Sequence, residues 1–427
     1  MLRRVSAASF VGSVIEFYDF LIYGTAAALV FPSVFFPGLS HTLATVASLG
    51  TFASAFVARP VGAALFGHLG DRVGRKKILV ITLLLMGTST VGVGLIPGAA
   101  AIGAWSAGLL TGLRILQGLA LGGEWAGSAL LSMEHAPPEK RGFYGMFTQL
   151  GLGTGLVLAN LVFLIVYTAY GPSRSAAFLD WGWRLPFLLS AVLIITALLV
   201  RIRVQETPSF TAVTTDTAGE VPIAALFRSQ RAQVALAAGS VTGALALVYE
   251  NGTFFTHYAS AHLGYSTDLV LLSGVLGGLC AVALVALSAT LSDTYGRGPI
   301  LMAGYLLAVP WSFTVLPLIE TGNKTVFIAA IMATYLIAGI VVGPLASFIP
   351  EIFPARYRYT GAGLSYNAGG ILGGAVPPVI SEYLLAAHGG WTIGIMLGGL
   401  ALLSLLCVRA LDGAAVSRPD SPDPAVP

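Results

Sequence analysis

Residues 67–77 read Gly-His-Leu-Gly-Asp-Arg-Val-Gly-Arg-Lys-Lys, and this basic, glycine-punctuated stretch separates two long apolar segments. Each segment is long enough to cross a bilayer, which takes about 20 apolar residues. A short basic turn between two such spans is typical of a cytoplasmic loop. Gly67 and Gly70 allow two helices to approach closely, and Asp71 can interact with a helix terminus or a nearby arginine. The stretch therefore predicts a membrane protein with a structured loop at this position.

The composition predicts a protein that spans the membrane many times. Of the 427 residues, 56% are hydrophobic and 10% are Asp, Glu, Lys or Arg, whereas a soluble protein carries about 25% charged residues. The net charge of +3 is small and the basic residues are dispersed, so we expect the lipid bilayer and no nucleic acid as a partner. Cys280 and Cys407 lie in apolar runs, where we expect them to be small hydrophobic residues that face lipid or neighbouring helices, with no disulfide.

Twelve apolar segments predict an all-α integral membrane fold. The first segment continues to about Phe31 and carries two acidic residues, so we predict a retained helix and not a cleaved signal peptide. The predicted helices lie near residues 8–31, 43–69, 78–96, 105–133, 143–168, 185–201, 232–259, 268–291, 299–319, 325–348, 360–385 and 391–410. Of the 22 lysines and arginines, 17 fall on the side of the N-terminus, three on the opposite side and two inside spans. This bias predicts that both termini are cytoplasmic.

The chain repeats two of its markers. Residues 71–75 recur in weakened form at 293–297, and the pair Glu134 and Arg141 recurs as Glu351 and Arg358, at offsets of 222 and 217 residues. These offsets predict two duplicated six-helix halves. The predicted division is residues 1–203 and 230–410 for the halves, 204–229 for a cytoplasmic linker and 411–427 for a disordered tail.

Charged residues inside the spans mark the predicted site. Glu16, Asp19 and Tyr23 follow a spacing of i, i+3 and i+7 and therefore share one face of the first helix. A charge at the centre of a span costs about 2.5–3.5 kcal/mol on insertion scales. Such carboxylates must face a wet cavity, pair with cations or be protonated, so we predict a functional role, with a structural ion pair as the alternative.

The fourth helix supplies the predicted cation. Arg114 and Gln117 lie one turn apart and Glu124 two turns below Gln117, so these residues line one side of that helix. A buried arginine needs an anion, which Asp19, Glu124 or a substrate can provide. Arg59 in the second helix lies at a depth similar to that of Glu124, and an Arg59–Glu124 pair fits a bracing role and a functional role equally well.

The remaining polar residues of the spans are weaker candidates for substrate contact. The seventh helix carries Glu250 and Asn251, and His257 lies two turns beyond Glu250 on the same face. A histidine near the end of a span is more often interfacial than a proton carrier. The other candidates are Trp125, Gln149, Asn160, Tyr366 and Asn367. A role in bridging helices explains these polar side chains at least as well.

Charged residues in the loops predict a gate on the side of residues 67–77. The candidates are Gly67, Asp71, Arg72, Arg75, Glu134, Arg141, Asp293, Arg297, Glu351 and Arg358. A solvated surface pair contributes only about 0–1 kcal/mol. The recurrence of the same charges in both halves favours a gate network over such pairs.

Sequence motifs of enzymes are missing. The chain has no His-Glu-x-x-His, Cys-x-x-Cys, Walker or Gly-x-Ser-x-Gly sequence, so we predict no catalytic residues, no cofactor and no metal. The glycine-rich residues 151–155 lie inside a span, where they predict close helix packing.

Several stretches resemble one family of membrane transporters. They are residues 16–20, 59–60, 114–118, 122–125, 181–187 and 206–208. Residues 67–77 match in full the signature loop of the major facilitator superfamily, and the whole set resembles its metabolite:proton symporter family over the chain to about residue 410. Residues 357–363 and 16–30 look most like the shikimate and organic-acid transporters of that family. Phe17-Tyr18-Asp19 with Arg114 is also similar to the Asp–Arg couple of proton-coupled sugar symporters.

The resemblance implies a bacterial inner-membrane symporter that imports a small carboxylate with a proton. The substrate would be of the shikimate, dicarboxylate or α-ketoglutarate class, and the protein a monomer without cofactor. We predict that Asp19 carries the proton and that Glu16 or Glu124 replaces it if Asp19 and Arg114 lie too far apart. An osmolyte symporter for betaine or proline is the alternative, an exporter is a weaker one, and a membrane receptor lacks room for a sensory domain.

Overall fold

The computed structural model describes residues 2–73, 75–171, 175–202, 226, 228–354 and 358–416, and in these ranges every regular element is helical. Twelve long helices of this part are labelled α1 to α12 in chain order. They span Leu2–Leu29, His41–Val73, Arg75–Leu95, Trp105–Gly122 continued by Glu124–Glu134, Arg141–Tyr170, Leu185–Ile202, Arg231–Ala261, Thr267–Tyr295, Arg297–Glu320, Lys324–Glu351, Arg358–His388 and Trp391–Val416.

The helices have the length and apolarity of membrane spans. Within the described residues, ten are long and apolar enough to cross a bilayer, and α3 adds the shorter apolar helix Val80–Leu95. The fourth helix is interrupted at Gly123. The predicted class of an all-α membrane fold is therefore confirmed.

The outward faces of the helices are apolar. On α6, Val192, Ile195 and Leu199 each expose more than half of their surface, and their spacing places them on one stripe. A contiguous apolar stripe on an exposed face is costly in water and favourable in lipid. The surface of the protein therefore fits a hydrocarbon environment.

The chain folds as two six-helix halves, α1–α6 and α7–α12, that meet along several pairs of helices. Helix α5 packs against α8 and α10, α2 packs against α11, and α1 packs against α7. Buried side chains from both halves form one hydrophobic cluster. The polar residues described below lie where these helices meet.

Glycines on α4 bring α2 into direct backbone contact. A Cβ atom on Gly118 would lie 2.2 Å from the Ala55 carbonyl oxygen, and one on Gly122 would lie 2.0 Å from the Arg59 carbonyl oxygen. Only glycine permits so close an approach. The contact places the backbone of Arg59 beside the break in α4. Glu124 begins the second part of α4 directly after that break.

The glycine-rich residues 151–155 pack α5 against two neighbours, as predicted. A Cβ atom on Gly151 would lie 2.5 Å from the Ser13 side chain of α1, and one on Gly153 would lie 2.8 Å from the Val282 side chain of α8. Helix α5 therefore contacts its own half and the other half through adjacent glycines.

The structure bears differently on the predicted tail 411–427 and on the predicted linker 204–229. Helix α12 continues to Val416, so the prediction of a disordered tail from residue 411 was wrong for its first six residues. Leu411 and the run Ala414-Ala415-Val416 favour continuation of the helix, despite Gly413 between them. Residues 417–427 and most of the predicted linker 204–229 lie outside the described residues. Cys280 and Cys407 are free thiols.

Candidate functional site

Arg114 lies in the first part of α4 and is fully buried. Its guanidinium carbon lies 4.2 Å from the ring centroid of Phe20, 4.0 Å from that of Tyr23 and 5.0 Å from that of Phe52. Nη1 donates a hydrogen bond to Gln117 Oε1 at 3.0 Å. Nε and Nη2 are buried and have no hydrogen-bond partner. A cation in an aromatic cage thus keeps donors free for an anion.

Asp19 is held by two hydroxyl groups from other helices. Ser190 donates to its Oδ1 at 2.6 Å and Thr90 lies 3.0 Å from its Oδ2. Thr90 also accepts a hydrogen bond from Gln117 Nε2 at 2.7 Å. Asp19, Thr90, Gln117 and Arg114 therefore form one chain of hydrogen bonds across α1, α3 and α4. Thr90 and Gln117 therefore connect Asp19 to Arg114, two residues whose distance the sequence does not give.

Arg59 packs against Phe20, one of the aromatic rings that also surround Arg114. Its guanidinium carbon lies 4.4 Å from the Phe20 centroid and 4.6 Å from that of Phe56. It also hydrogen-bonds Tyr249 of α7, whose ring packs edge-on against Phe56 at 5.0 Å. Two buried arginines therefore flank Phe20 at the contact between the halves.

Glu16 and Glu124, the other predicted proton-coupling residues, are both buried. Glu124 begins the second part of α4, directly after the break at Gly123. Arg59 lies across the α2–α4 contact from this break. The Arg59–Glu124 pair stays a prediction, as do the roles of Glu16 and Glu124.

Four of the predicted substrate-binding residues join the two halves. The indole ring of Trp125 stacks on the Tyr366 ring with a centroid distance of 3.7 Å and an interplanar angle of 9°. Gln149 accepts a hydrogen bond from Trp125 Nε1 and donates one to the Val342 carbonyl at 2.9 Å. Asn367 donates to the Gly122 carbonyl at 3.2 Å. These contacts hold α4 and α5 of the N-terminal half against α10 and α11 of the C-terminal half, and a substrate role for the four residues stays a prediction.

The C-terminal half contributes a second polar region on α7. The helix adopts a π-helical turn from Glu250 to Phe254, a feature frequent at functional sites. Glu250 is fully buried, and its Oε1 accepts a hydrogen bond from Ser381 at 2.5 Å while Oε2 has no hydrogen-bond partner. Asn251 donates to the Ile331 carbonyl at 3.3 Å, and its Oδ1 has no partner.

A cavity lies beside this π-helical turn. Its polar lining residues are Asn160, Asn251, Thr256, Ser273 and Tyr335. They come from α5, α7, α8 and α10, so both halves form its wall. The predicted candidates Asn160 and Asn251 therefore face one space.

Charged groups tie the halves together on the side of residues 67–77. The Asp293 carboxylate accepts hydrogen bonds from the backbone N–H groups of Gly142 and Phe143 at 2.7 and 2.8 Å, at the start of α5. Arg297 pairs with Asp293 at 2.8 Å and with Glu351 at 3.3 Å. A carboxylate at a helix N-terminus is favourable, so Asp293 links α8 to α5.

The rest of the predicted gate is described only in part. Arg358 donates from Nε to the Phe353 carbonyl at 3.4 Å, and Arg141 Nε is buried without a partner. The surroundings of Gly67 and the side chains of Asp71, Arg72, Arg75 and Glu134 lie outside the described residues. Their gate roles stay predictions.

We expect Asp293→Ala to loosen this contact between the halves. Loss of a capping carboxylate costs about 0.5–2 kcal/mol, so amide hydrogen exchange at Gly142 and Phe143 should accelerate up to about 30-fold. Mass spectrometry of the purified chain measures it. Asp268→Ala, at the other end of α8, is the matched control and should leave these amides unchanged. Equal exchange in Asp293→Ala and in the unsubstituted protein would show that the carboxylate does not hold the helices together.

Sequence reasoning missed the residues that complete the site. Thr90, Ser190 and the rings of Phe20 and Phe52 belong to it, as does Tyr249 from the other half. A hydroxyl residue in a span usually bonds the backbone of its own helix, and Thr90 also lies 2.9 Å from the Met86 carbonyl. A phenylalanine in an apolar run carries no signal of its own. The two arginines inside spans, Arg59 and Arg114, are the only sequence signal from which aromatic partners could have been inferred.

Comparison with known proteins places the chain among transporters. A profile of the family described as "Sugar (and other) transporter" matches residues 5–220 and 215–410. The chain is 40% identical over 412 residues to the inner membrane metabolite transport protein YhjE of Escherichia coli, a match that covers 95% of this chain and 93% of that protein. It is 37% identical to the shikimate transporter of Escherichia coli, covering 91% of this chain and 89% of the relative. The proline/betaine transporter of the same organism is 33% identical, with 88% and 76% covered.

Solved structures show the same fold. The proton:xylose symporter XylE bound to 6-bromo-6-deoxy-D-glucose superimposes with a TM-score of 0.76 at 19% identity, over 96% of this chain and 95% of that one. A crystal structure of a D-xylose-proton symporter gives a TM-score of 0.73 at 20% identity, over 95% and 96% of the two chains. At these identities the likeness concerns the fold alone.

Proposed function

Because the chain belongs to the sugar (and other) transporter family of the major facilitator superfamily, we propose that it imports a small organic carboxylate together with a proton. The chain is a multi-pass membrane transporter and not an enzyme, like the relatives that it matches over nearly its full length. The carboxylate substrate, the coupled proton and the direction of transport are the proposal. Transport would proceed by alternating access between the two halves.

One observation carries the carboxylate assignment. The Nε and Nη2 atoms of Arg114 are buried without a hydrogen-bond partner, in a cage of aromatic rings from α1 and α2. An unpaired guanidinium in a medium of low dielectric constant is costly. A substrate carboxylate would accept two parallel hydrogen bonds from the Arg114 guanidinium. Arg59, which packs against the same Phe20 ring, would add a second positive charge near the substrate.

The hydrogen-bond arrangement around Thr90 supports Asp19 as the proton carrier. A threonine hydroxyl has one hydrogen and two lone pairs, and Gln117 Nε2 occupies one lone pair. When Asp19 is a carboxylate, the Thr90 hydrogen points to it. When Asp19 carries a proton, that proton can donate to Thr90, whose own hydrogen turns to the Met86 carbonyl. Proton uptake therefore needs only a hydroxyl rotation, and it removes a negative charge that competes with the substrate for Arg114.

The amide orientation of Gln117 fixes this chain. Arginine can only donate hydrogen bonds, so the atom of Gln117 that faces Arg114 must be the oxygen. The amide nitrogen then faces Thr90 and donates to it. The order of donors and acceptors from Arg114 through Gln117 to Thr90 therefore follows from chemistry alone.

A zwitterionic osmolyte is the second candidate substrate. Betaine and proline carry a carboxylate and also a cationic nitrogen, which needs an anion. Glu250 Oε2 is buried without a partner, directly after Tyr249, whose ring contacts Phe20 at 5.5 Å. Arg114 and Glu250 could thus hold the two ends of a zwitterion from opposite halves.

We further propose that the side of residues 67–77 faces the bacterial cytoplasm. The excess of lysine and arginine on that side supports this orientation. It places both termini in the cytoplasm and the chain in the inner membrane, as a monomer.

Uptake into right-side-out membrane vesicles tests the proposal. Labelled shikimate, α-ketoglutarate, succinate and citrate form one arm, and labelled betaine and proline form the other. With an outside pH one unit lower, one proton per substrate supports up to about tenfold accumulation, since a pH unit corresponds to about 1.4 kcal/mol. We expect one of the acids to accumulate inside the vesicles, and we expect a protonophore to abolish that accumulation. Vesicles without the protein are the control. Accumulation of betaine or proline and of none of the acids would favour an osmolyte symporter. Loss of preloaded substrate from the vesicles against its own concentration gradient would favour an exporter.

A further inference from the structure

A cluster of histidine and carboxylate groups lies at the end of the molecule opposite residues 67–77. His41 begins α2, His257 lies near the end of α7 and Glu382 near the end of α11. One ligand atom from each of these side chains lies within 4.8 Å of the other two. His257 and Glu382 each expose only 3% of their surface, whereas His41 is exposed. The cluster therefore joins the two halves and is open to solution through α2.

The hydrogen bonds of His257 fix which nitrogen faces the cluster. Its Nδ1 lies 3.1 Å from the Ala28 carbonyl oxygen of α1. Because a carbonyl can only accept, Nδ1 carries the hydrogen, and in the neutral ring Nε2 presents a lone pair. A histidine that donates one N–H group to a backbone carbonyl while its other nitrogen is free is the usual arrangement of a metal ligand.

Two buried acceptors face each other in this cluster. His257 Nε2 lies 3.9 Å from Glu382 Oε2, and both atoms are buried without a hydrogen-bond partner. The other carboxylate oxygen of Glu382 contacts His262 Nε2 at 3.3 Å. Two lone pairs that point at the same space are unfavourable unless a positive charge lies between them. Either a metal ion or a shared proton would meet that need.

We propose that His41, His257 and Glu382 form a site for a divalent transition-metal ion such as Zn²⁺. Imidazole and carboxylate ligands suit this class of ion. Zinc–ligand bonds of about 2.0–2.2 Å in tetrahedral geometry require ligand atoms about 3.3 Å apart, so the three groups must move closer together. His41, on the exposed first turn of α2, supplies most of that movement. Solvent or His262 takes the fourth position.

The ion would hold this side of the transporter closed. His41 belongs to the N-terminal half, and His257 and Glu382 belong to the C-terminal half. Alternating access requires the halves to separate on each side in turn. A metal bond across α2, α7 and α11 opposes the separation, so Zn²⁺ acts as an inhibitor from this side whatever the substrate is.

Titration calorimetry with ZnCl₂ alone tests the site on the full chain, purified on a tag without histidine. We expect one Zn²⁺ per chain. His41→Ala and Glu382→Gln should each weaken binding by at least roughly tenfold, while the unsubstituted protein and His388→Ala should bind alike. His388 ends the same helix α11 outside the cluster, which makes it the matched control. Thermal unfolding without metal checks that each variant is folded, and Glu382→Gln retains a side-chain oxygen that can still accept from His262.

Hydrogen exchange tests whether the ion joins the halves. Zn²⁺ should slow amide exchange in the first turns of α2 in the unsubstituted protein and not in His41→Ala. Absence of saturable Zn²⁺ binding, or an affinity in His41→Ala and Glu382→Gln equal to that of the unsubstituted protein, would overturn the proposal and leave a shared proton between His257 and Glu382. Unchanged Zn²⁺ affinity in His41→Ala, with weakened binding in Glu382→Gln, would overturn the bridge between the halves, because His41 is its ligand from the N-terminal half.

Discussion

Arg114→Lys is expected to weaken binding of the carboxylate at least roughly tenfold, and Arg114→Ala far more. Lysine keeps the charge but replaces a planar fork of donors with a single point charge. Alanine removes the partner of a buried charge, which typically costs about 2–5 kcal/mol, or a roughly 30-fold to several-thousandfold rise in Kd. Equilibrium binding to the purified protein, with the acid that the vesicle assay selects, measures both effects.

Arg184→Lys is the matched control for this prediction. Arg184 lies in the same half and donates to the carbonyls of Asp180, Gly94 and Ile96, so it braces the ends of α3 and α6. The same substitution there should leave the Kd for substrate unchanged. Near-normal binding by Arg114→Ala would remove Arg114 from the site and transfer the assignment to Arg59, whose Nε is also buried without a partner.

The fold could be predicted from the sequence because a bilayer leaves few choices. Each span must satisfy its own backbone and bury about 20 apolar residues, so hydropathy alone located α1 to α12 with small errors at the ends. The break at Gly123 and the π-helical turn at Glu250 could not be read in the same way. Both depend on how neighbouring helices pack, and hydropathy carries no information about that packing.

The site could be predicted only where a charge interrupts an apolar span. Arg114, Gln117 and Asp19 stand out for that reason, and the structure brings them into one hydrogen-bonded chain. Thr90 could not be found, because a threonine that bonds its own helix and one that bridges two helices look alike in sequence. Trp125 and Tyr366 illustrate the opposite problem, since polar aromatic residues predicted to bind a ligand stack on each other across the halves.

Asp19→Asn is expected to abolish proton-driven accumulation and to preserve exchange of substrate across the membrane. Asparagine has nearly the shape of the protonated acid, and its oxygen can accept from Ser190 while its nitrogen donates to Thr90. The variant therefore resembles the proton-loaded state permanently. In that state Arg114 has lost a competing negative charge, so the substrate can bind and the halves can still exchange sides.

Two assays on the same vesicles separate these effects. Under a gradient of one pH unit, accumulation should fall from up to about tenfold to no accumulation, while counterflow of labelled against unlabelled substrate continues. Asp180→Asn, the same substitution at an exposed residue beside α6, should retain both activities. Loss of counterflow as well would mean that Asp19 is needed to build the site and not only to carry the proton. Full accumulation with an unchanged pH profile would exclude Asp19 and direct the search to Glu124, then to Glu16 and Glu250, the other carboxylates buried in the spans near the arginines and α7.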